Sequence, residues 1–188
     1  MCTPISYPKA LEPNLASDLV TSKLFARISL IVFGALLFLI PASARAANNC
    51  PWMNEATASG LVGGDAVGSF VESQGQPSVC SFTQHAGNVT RTLRISVEIA
   101  ADPHARFLAL AQSCEGSAVP LPAIGNEALV CPTDPHSDEF GEQVLGRVRD
   151  QVFTITISSS LKSDPVLNKA DLKIKINTAA EQVSGNLF

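Results

Sequence analysis

The run Ile28–Ile40, ISLIVFGALLFLI, decides which part of this chain is free to fold in water. It is the one long uncharged apolar stretch in the sequence. Lys23 and Arg27 precede it, and the small-residue pattern Ala44-Arg45-Ala46 follows. Cation, apolar segment, then a small-x-small motif is the order of a secretory signal peptide. As a helix, its 13 residues reach about 20 Å at about 1.5 Å per residue, short of the ~30 Å hydrocarbon core of a bilayer. Arg45 stops the run from extending. The expectation is an n-region over 1–27, an apolar core over 28–40 and cleavage near Ala46; the alternative is an uncleaved segment that tethers the protein to a membrane. The preamble is long for an n-region, which a downstream start at a non-Met codon near Val20 or Leu24 would explain.

What remains, 47–188, is one domain's worth of chain, enough for a single core. It carries nine Lys/Arg against 15 Asp/Glu, a net charge of −6. Without a basic cluster, so acidic a segment is a poor partner for nucleic acid. Cys2 leaves with the signal, so four cysteines stay: Cys50, Cys80, Cys114 and Cys131. An even number in an exported chain reads as two disulfides. Three connectivities are open; pairing of sequence neighbours, Cys50–Cys80 and Cys114–Cys131, is preferred because each bond would staple a local unit. A zinc site is the competing reading, but no two cysteines stand at C-x-x-C spacing. Nor does Ala47-Asn48-Asn49 supply the small, apolar lead-in of a lipid-attachment cysteine at Cys50.

The chain in order alternates helix signals with strand signals. Asn54 is a good N-cap and Gly63-Gly64 a stop, so a short helix runs between them with Met53, Ala56, Gly60 and Leu61 near one face. Ala66–Glu72 is a weak strand, Ser73–Pro77 a turn, and Val79–His85 a second strand. Val89–Ala100 has the cleanest period-2 pattern, with Leu93, Ile95, Val97 and Ile99 against Thr92, Arg94, Ser96 and Glu98. Asp102-Pro103 opens a helix lined by Phe107, Leu108, Leu110 and Ala111, stopping at Gly116. Ser117–Gly125 is a loop, Asn126–Cys131 a strand and Pro132–Gly141 a polar excursion. Gln143–Arg149 and Gln151–Ser158 form a hairpin around Arg149-Asp150. Asp164-Pro165 starts a last helix with Leu172, Ile176, Ala179, Ala180 and Val183 on one face and Leu167 and Ile174 opposite. The order α-β-β-β-α-β-β-β-α predicts an α+β domain: one antiparallel sheet of five to six strands, helices on one face, two disulfides.

Cys50, the short helix ending in Gly63-Gly64, Cys80 followed by Phe82, the proline-rich lead into Ile124-Gly125-Asn126-Glu127-Ala128, and the closing hairpin and helix carry a resemblance. Over nearly all of 47–188 the layout resembles small exported bacterial domains of the actinobacterial lipoprotein type, with a PsbP-like α+β fold. The resemblance implies a non-catalytic envelope module and supplies no active-site residues. The missing lipid cysteine departs from many of those proteins.

Chemistry-bearing constellations are sparse. Asp134, His136, Asp138 and Glu139 are the one group whose oxygen and imidazole donors could serve a ligand or metal, against the plainer reading of a solvated acidic turn. His104 repeats the Asp-Pro-His tripeptide in a helix's first turn, and His85 ends a strand. No G-x-S-x-G elbow is present, and cysteines in disulfides are poor nucleophiles. Asn88-Val89-Thr90 is a glycosylation sequon that a bacterial setting leaves unused. Trp52, beside Cys50, either packs in the core or contacts a partner. No catalytic residue, cofactor or resident metal is expected. The functional expectation is an exported, non-catalytic module that binds an envelope or extracellular partner, with no stable membrane span after cleavage. The alternatives are a metal-assisted periplasmic hydrolase built on the His136 loop and a structural envelope component.

Overall fold

Leu93, Ile95 and Val97 sit at the centre of the sheet, each 5% exposed or less, as their alternation with polar neighbours requires. The computed structural model describes residues 49–114, 117–133 and 139–188. The expected signal segment, Gly116, and Asp134, His136 and Asp138 lie outside the described residues.

Seven strands form one sheet: β1 (Val67–Val71), β2 (Ser78–Ala86), β3 (Val89–Ile99), β4 (Val119–Pro120), β5 (Glu127–Pro132), β6 (Phe140–Val148) and β7 (Gln151–Ser159). Their spatial order is β1-β2-β3-β7-β6-β5-β4, with every pairing antiparallel. Two meanders thus meet where Leu93 faces Ile157 and Ile95 faces Ile155. All four side chains are fully buried, and each contributes about 1.5–3 kcal/mol by leaving water.

Helices α1 (Glu55–Val62), α2 (Pro103–Ala111) and α3 (Lys169–Leu187) pack on this sheet. The α+β class, the single antiparallel sheet and both disulfides follow the sequence reading. Cys50 bonds Cys80 and Cys114 bonds Cys131, with Cα separations of 5.6 and 5.7 Å. Among the described residues, no helix is long and apolar enough to cross a membrane.

The layering is richer than one covered face. α1 and α3 share a core with Phe82, Leu93, Ile95, Phe153 and Ile155, whereas Phe107 of α2 joins Leu145, Val152 and the Cys114–Cys131 bond. By register, Leu145 and Val152 point opposite to Val144 and Phe153, so α2 lies on the other face. Only Phe107 of α2 is buried; Leu108 is half exposed.

Several boundaries move for identifiable reasons. The seventh strand, β4, lies inside the expected loop, and β6 begins at Phe140, inside the expected excursion. In α1 the buried residues are Ala58, Leu61 and Val62 rather than Ala56 and Gly60. Asn54 caps it through Thr57 N–H at 2.8 Å, and Gly63 ends it at φ 78°, where a side chain would also overlap Val166. α3 starts at Lys169 with Asn168 as its cap, not after Pro165. Asp164 is committed elsewhere, and Leu167, ahead of the helix, is fully buried.

Candidate functional site

One end of the sheet carries a cleft of about 400 Å³. The polar turn Glu72–Pro77, which joins β1 to β2, and the last residues of β3 both contribute to it. Gly75, at φ 71°, takes a left-handed conformation that other residues rarely adopt. Glu72, Gln74 and Gln76 on the turn, Glu98 and Ile99 on β3, and Gln151 at the start of β7 wall the cleft.

Trp52 reaches the same cleft from the N-terminal lead. Its position is fixed from three sides. The Cys50–Cys80 bond ties the lead to β2. Asn186 of α3 donates its side-chain amide to the Trp52 carbonyl at 2.9 Å. The indole meets Phe70 edge-on, with ring centroids 5.8 Å apart and planes at 85°. At 9% exposure the ring is core-packed and shows only a margin to the cleft.

The cleft is negatively biased. Glu72 is solvent-exposed, and no cation among the described residues pairs with it. Glu98 is held by Arg106 of α2, so its charge is partly balanced. Among the described residues, no Lys, Arg or His lines it. Side-chain amides and the hydroxyls of Ser73 and Ser78 supply neutral donors and acceptors.

A second cleft, of about 240 Å³, lies between the N-terminal lead and β1, with Met53, Glu55, Gly68 and Phe82 in its walls. Here α1 takes up two backbone donors at the start of the edge strand. Gly68 N–H donates to Glu55 Oε1 at 2.9 Å, and Ala66 N–H donates to Ser59 Oγ at 2.9 Å. Glu55 and Ser59 stand one helical turn apart, which puts both on the same side of α1.

The most buried polar group is structural in its contacts. Arg91, in phase with Leu93 and Ile95, points into the core, where Asp164 accepts from its Nε and Nη2 and Gln84 accepts from its Nη1. Asp164 also accepts from Ser159 Oγ and Val166 N–H. Burial pushes the Asp164 carboxyl up, but these hydrogen bonds and the Arg91 charge override it and hold the group well below the usual carboxylate range. Nearby, burial pushes the Lys175 ammonium down while it donates to the Val166 carbonyl.

A surface cluster joins α2 to β5 and β6. Glu127 accepts from His104 Nδ1 at 2.8 Å and from Arg147 Nε. Partial burial raises the Glu127 carboxyl, but the His104 and Arg147 hydrogen bonds dominate and lower it. His104 is 60% exposed, so this is a solvated network. His85 is also exposed and bonds Thr90 Oγ1 at 3.1 Å.

Of the residues expected to form a site, Asp134, His136 and Asp138 lie outside the described residues. Glu139 accepts a hydrogen bond from Ser158 Oγ at 2.6 Å. Trp52 sits at the floor of a cleft rather than on an open surface. Among the described residues, no group of three His, Cys, Asp or Glu side chains could hold a metal. From sequence, Glu72 is the end of a weak strand and Ser73–Pro77 a plain turn; the polar side chains of Glu72, Gln74 and Gln76 next to a disulfide-tethered tryptophan are the available signal. Comparisons with protein-family models, curated proteins and solved structures return no match to this chain.

Proposed function

We propose that this protein is an exported, non-catalytic binding module that takes its partner in the Trp52 cleft. The observation that carries the reading is the cleft itself: amides, hydroxyls and carboxylates converge above an aromatic side chain fixed by a disulfide, a helix contact and a second ring. Concave sites with a rigid apolar floor and a few placed polar groups are the usual form of small binding sites. The two disulfides fit an oxidising, exported setting. The resemblance to small exported envelope domains points the same way.

The test is site-specific photo-cross-linking in the cell of origin. A benzophenone side chain at Gln74 should form a covalent adduct of discrete mass, while the same group at exposed Thr178 on α3 should not. Equal adducts at both positions, or none at Gln74, would contradict the reading.

A further inference from the structure

We infer that the Trp52 cleft selects a cationic group on an aliphatic stem, an ammonium or guanidinium such as a basic side chain or a polyamine carries. This rests on the binding role proposed above and names the ligand chemistry of the same site.

Three features exclude the other common classes. An anion would need a cationic or donor-rich lining, and among the described residues the lining has two carboxylates and no Lys, Arg or His. A pyranose ring wants an open aromatic face to stack on, and Trp52 is 9% exposed with Phe70 against it. A purely apolar ligand would leave Glu72, Gln74 and Gln76 desolvated without partners, which costs free energy for each group.

A cation on a stem satisfies all the walls at once. Its charge faces Glu72, which has no cationic partner among the described residues, and its methylenes lie along Ile99 and the Trp52 margin. The amides of Gln76 and Gln151 offer carbonyl oxygens to the remaining N–H groups. About 400 Å³ has room for such a group, and exceeds what a single inorganic cation would fill.

Trp52 is the only tryptophan in the chain, so intrinsic fluorescence reports on the cleft. Purified protein with both disulfides intact is titrated with spermidine, a capped tri-arginine peptide, a capped tri-glutamate peptide and maltotriose. The expected result is a saturable change with one or both cations, weakened by salt, and none with the other two. A response to spermidine assigns a free polyamine, and a response to tri-arginine alone assigns a basic peptide. Glu72→Gln should keep the wild-type melting temperature and weaken cation binding about threefold, the scale of one exposed charge pair. A response confined to maltotriose or tri-glutamate, or unchanged affinity in Glu72→Gln, overturns the cation assignment while leaving the cleft a binding site. Silence toward all four overturns both.

Discussion

Arg91 and Asp164, 73 residues apart in sequence, meet through two hydrogen bonds of 2.6 and 2.9 Å with side chains no more than 6% exposed. The pair bolts the connection after β7 to the centre of the sheet. It also sets where α3 begins, because the segment from Asp164 must enter the core before the helix can start at Asn168. Its worth lies in completeness: each charge is satisfied only while the other is present.

Removing one partner should therefore cost far more than an exposed pair would. Asp164→Ala is expected to lose about 3–5 kcal/mol in denaturant unfolding, and a double replacement by Met at Arg91 and Leu at Asp164 to recover much of that loss. The pH dependence follows from the lowered Asp164 carboxyl. A depressed carboxyl stabilises the fold above its unfolded value, near 3.8, and the contribution drains away as pH falls through the folded value. Wild type should lose stability below about pH 4, and Asp164→Asn should show a shallower acid slope from a lower plateau.

Glu142 carries the opposite sign. Burial raises its carboxyl, and the charges of Lys173 and Lys169 only partly offset this. A raised carboxyl costs stability while ionised, so Glu142→Gln should raise the melting temperature at pH 7, with the gain fading as pH approaches 4. Equal melting temperatures at pH 7 would show that the lysines balance the burial.

The β1 edge is guarded by a side chain rather than by charge within the strand. Val67 and Val71 are 76% and 59% exposed, and Glu55 occupies the Gly68 N–H. Glu55→Ala frees that donor on an uncharged edge, the situation that invites strand pairing between molecules. Sedimentation velocity across a concentration series should show more dimer for Glu55→Ala than for wild type.

Gly146 on β6 lies opposite Phe153 on β7, and a Cβ there would overlap the buried Phe153 ring. Gly146→Ala should cost about 1–3 kcal/mol by overpacking, read as a lower denaturant midpoint with an unchanged slope.

The period-2 pattern of Leu93, Ile95 and Val97 and the caps Asn54, Gly63 and Asp102 are local signals, and local signals were legible. The sequence-neighbour disulfides were legible for the same reason. The start of α3 was misplaced because Asp164-Pro165 has the letters of a helix start, while the pull that decides it comes from Arg91 on another strand. Arg91 itself falls in phase with the buried residues, and that phase was the clue that a carboxylate had to reach it. The side of the sheet taken by α2 depends on how the crossover from β3 runs, which alternation within a strand does not encode. The Trp52 cleft escaped for a related reason: its walls come from four separate segments.

The binding role of the Trp52 cleft is tested most directly by the ¹H–¹⁵N spectrum of the labelled protein with the concentrated exported fraction of its own cells. The Trp52 indole resonance and the Glu72–Ser78 amides are expected to move together and saturably, while amides around Arg91 and Asp164 stay fixed. Stationary cleft resonances, with shifts gathered on another face of the molecule, would contradict it.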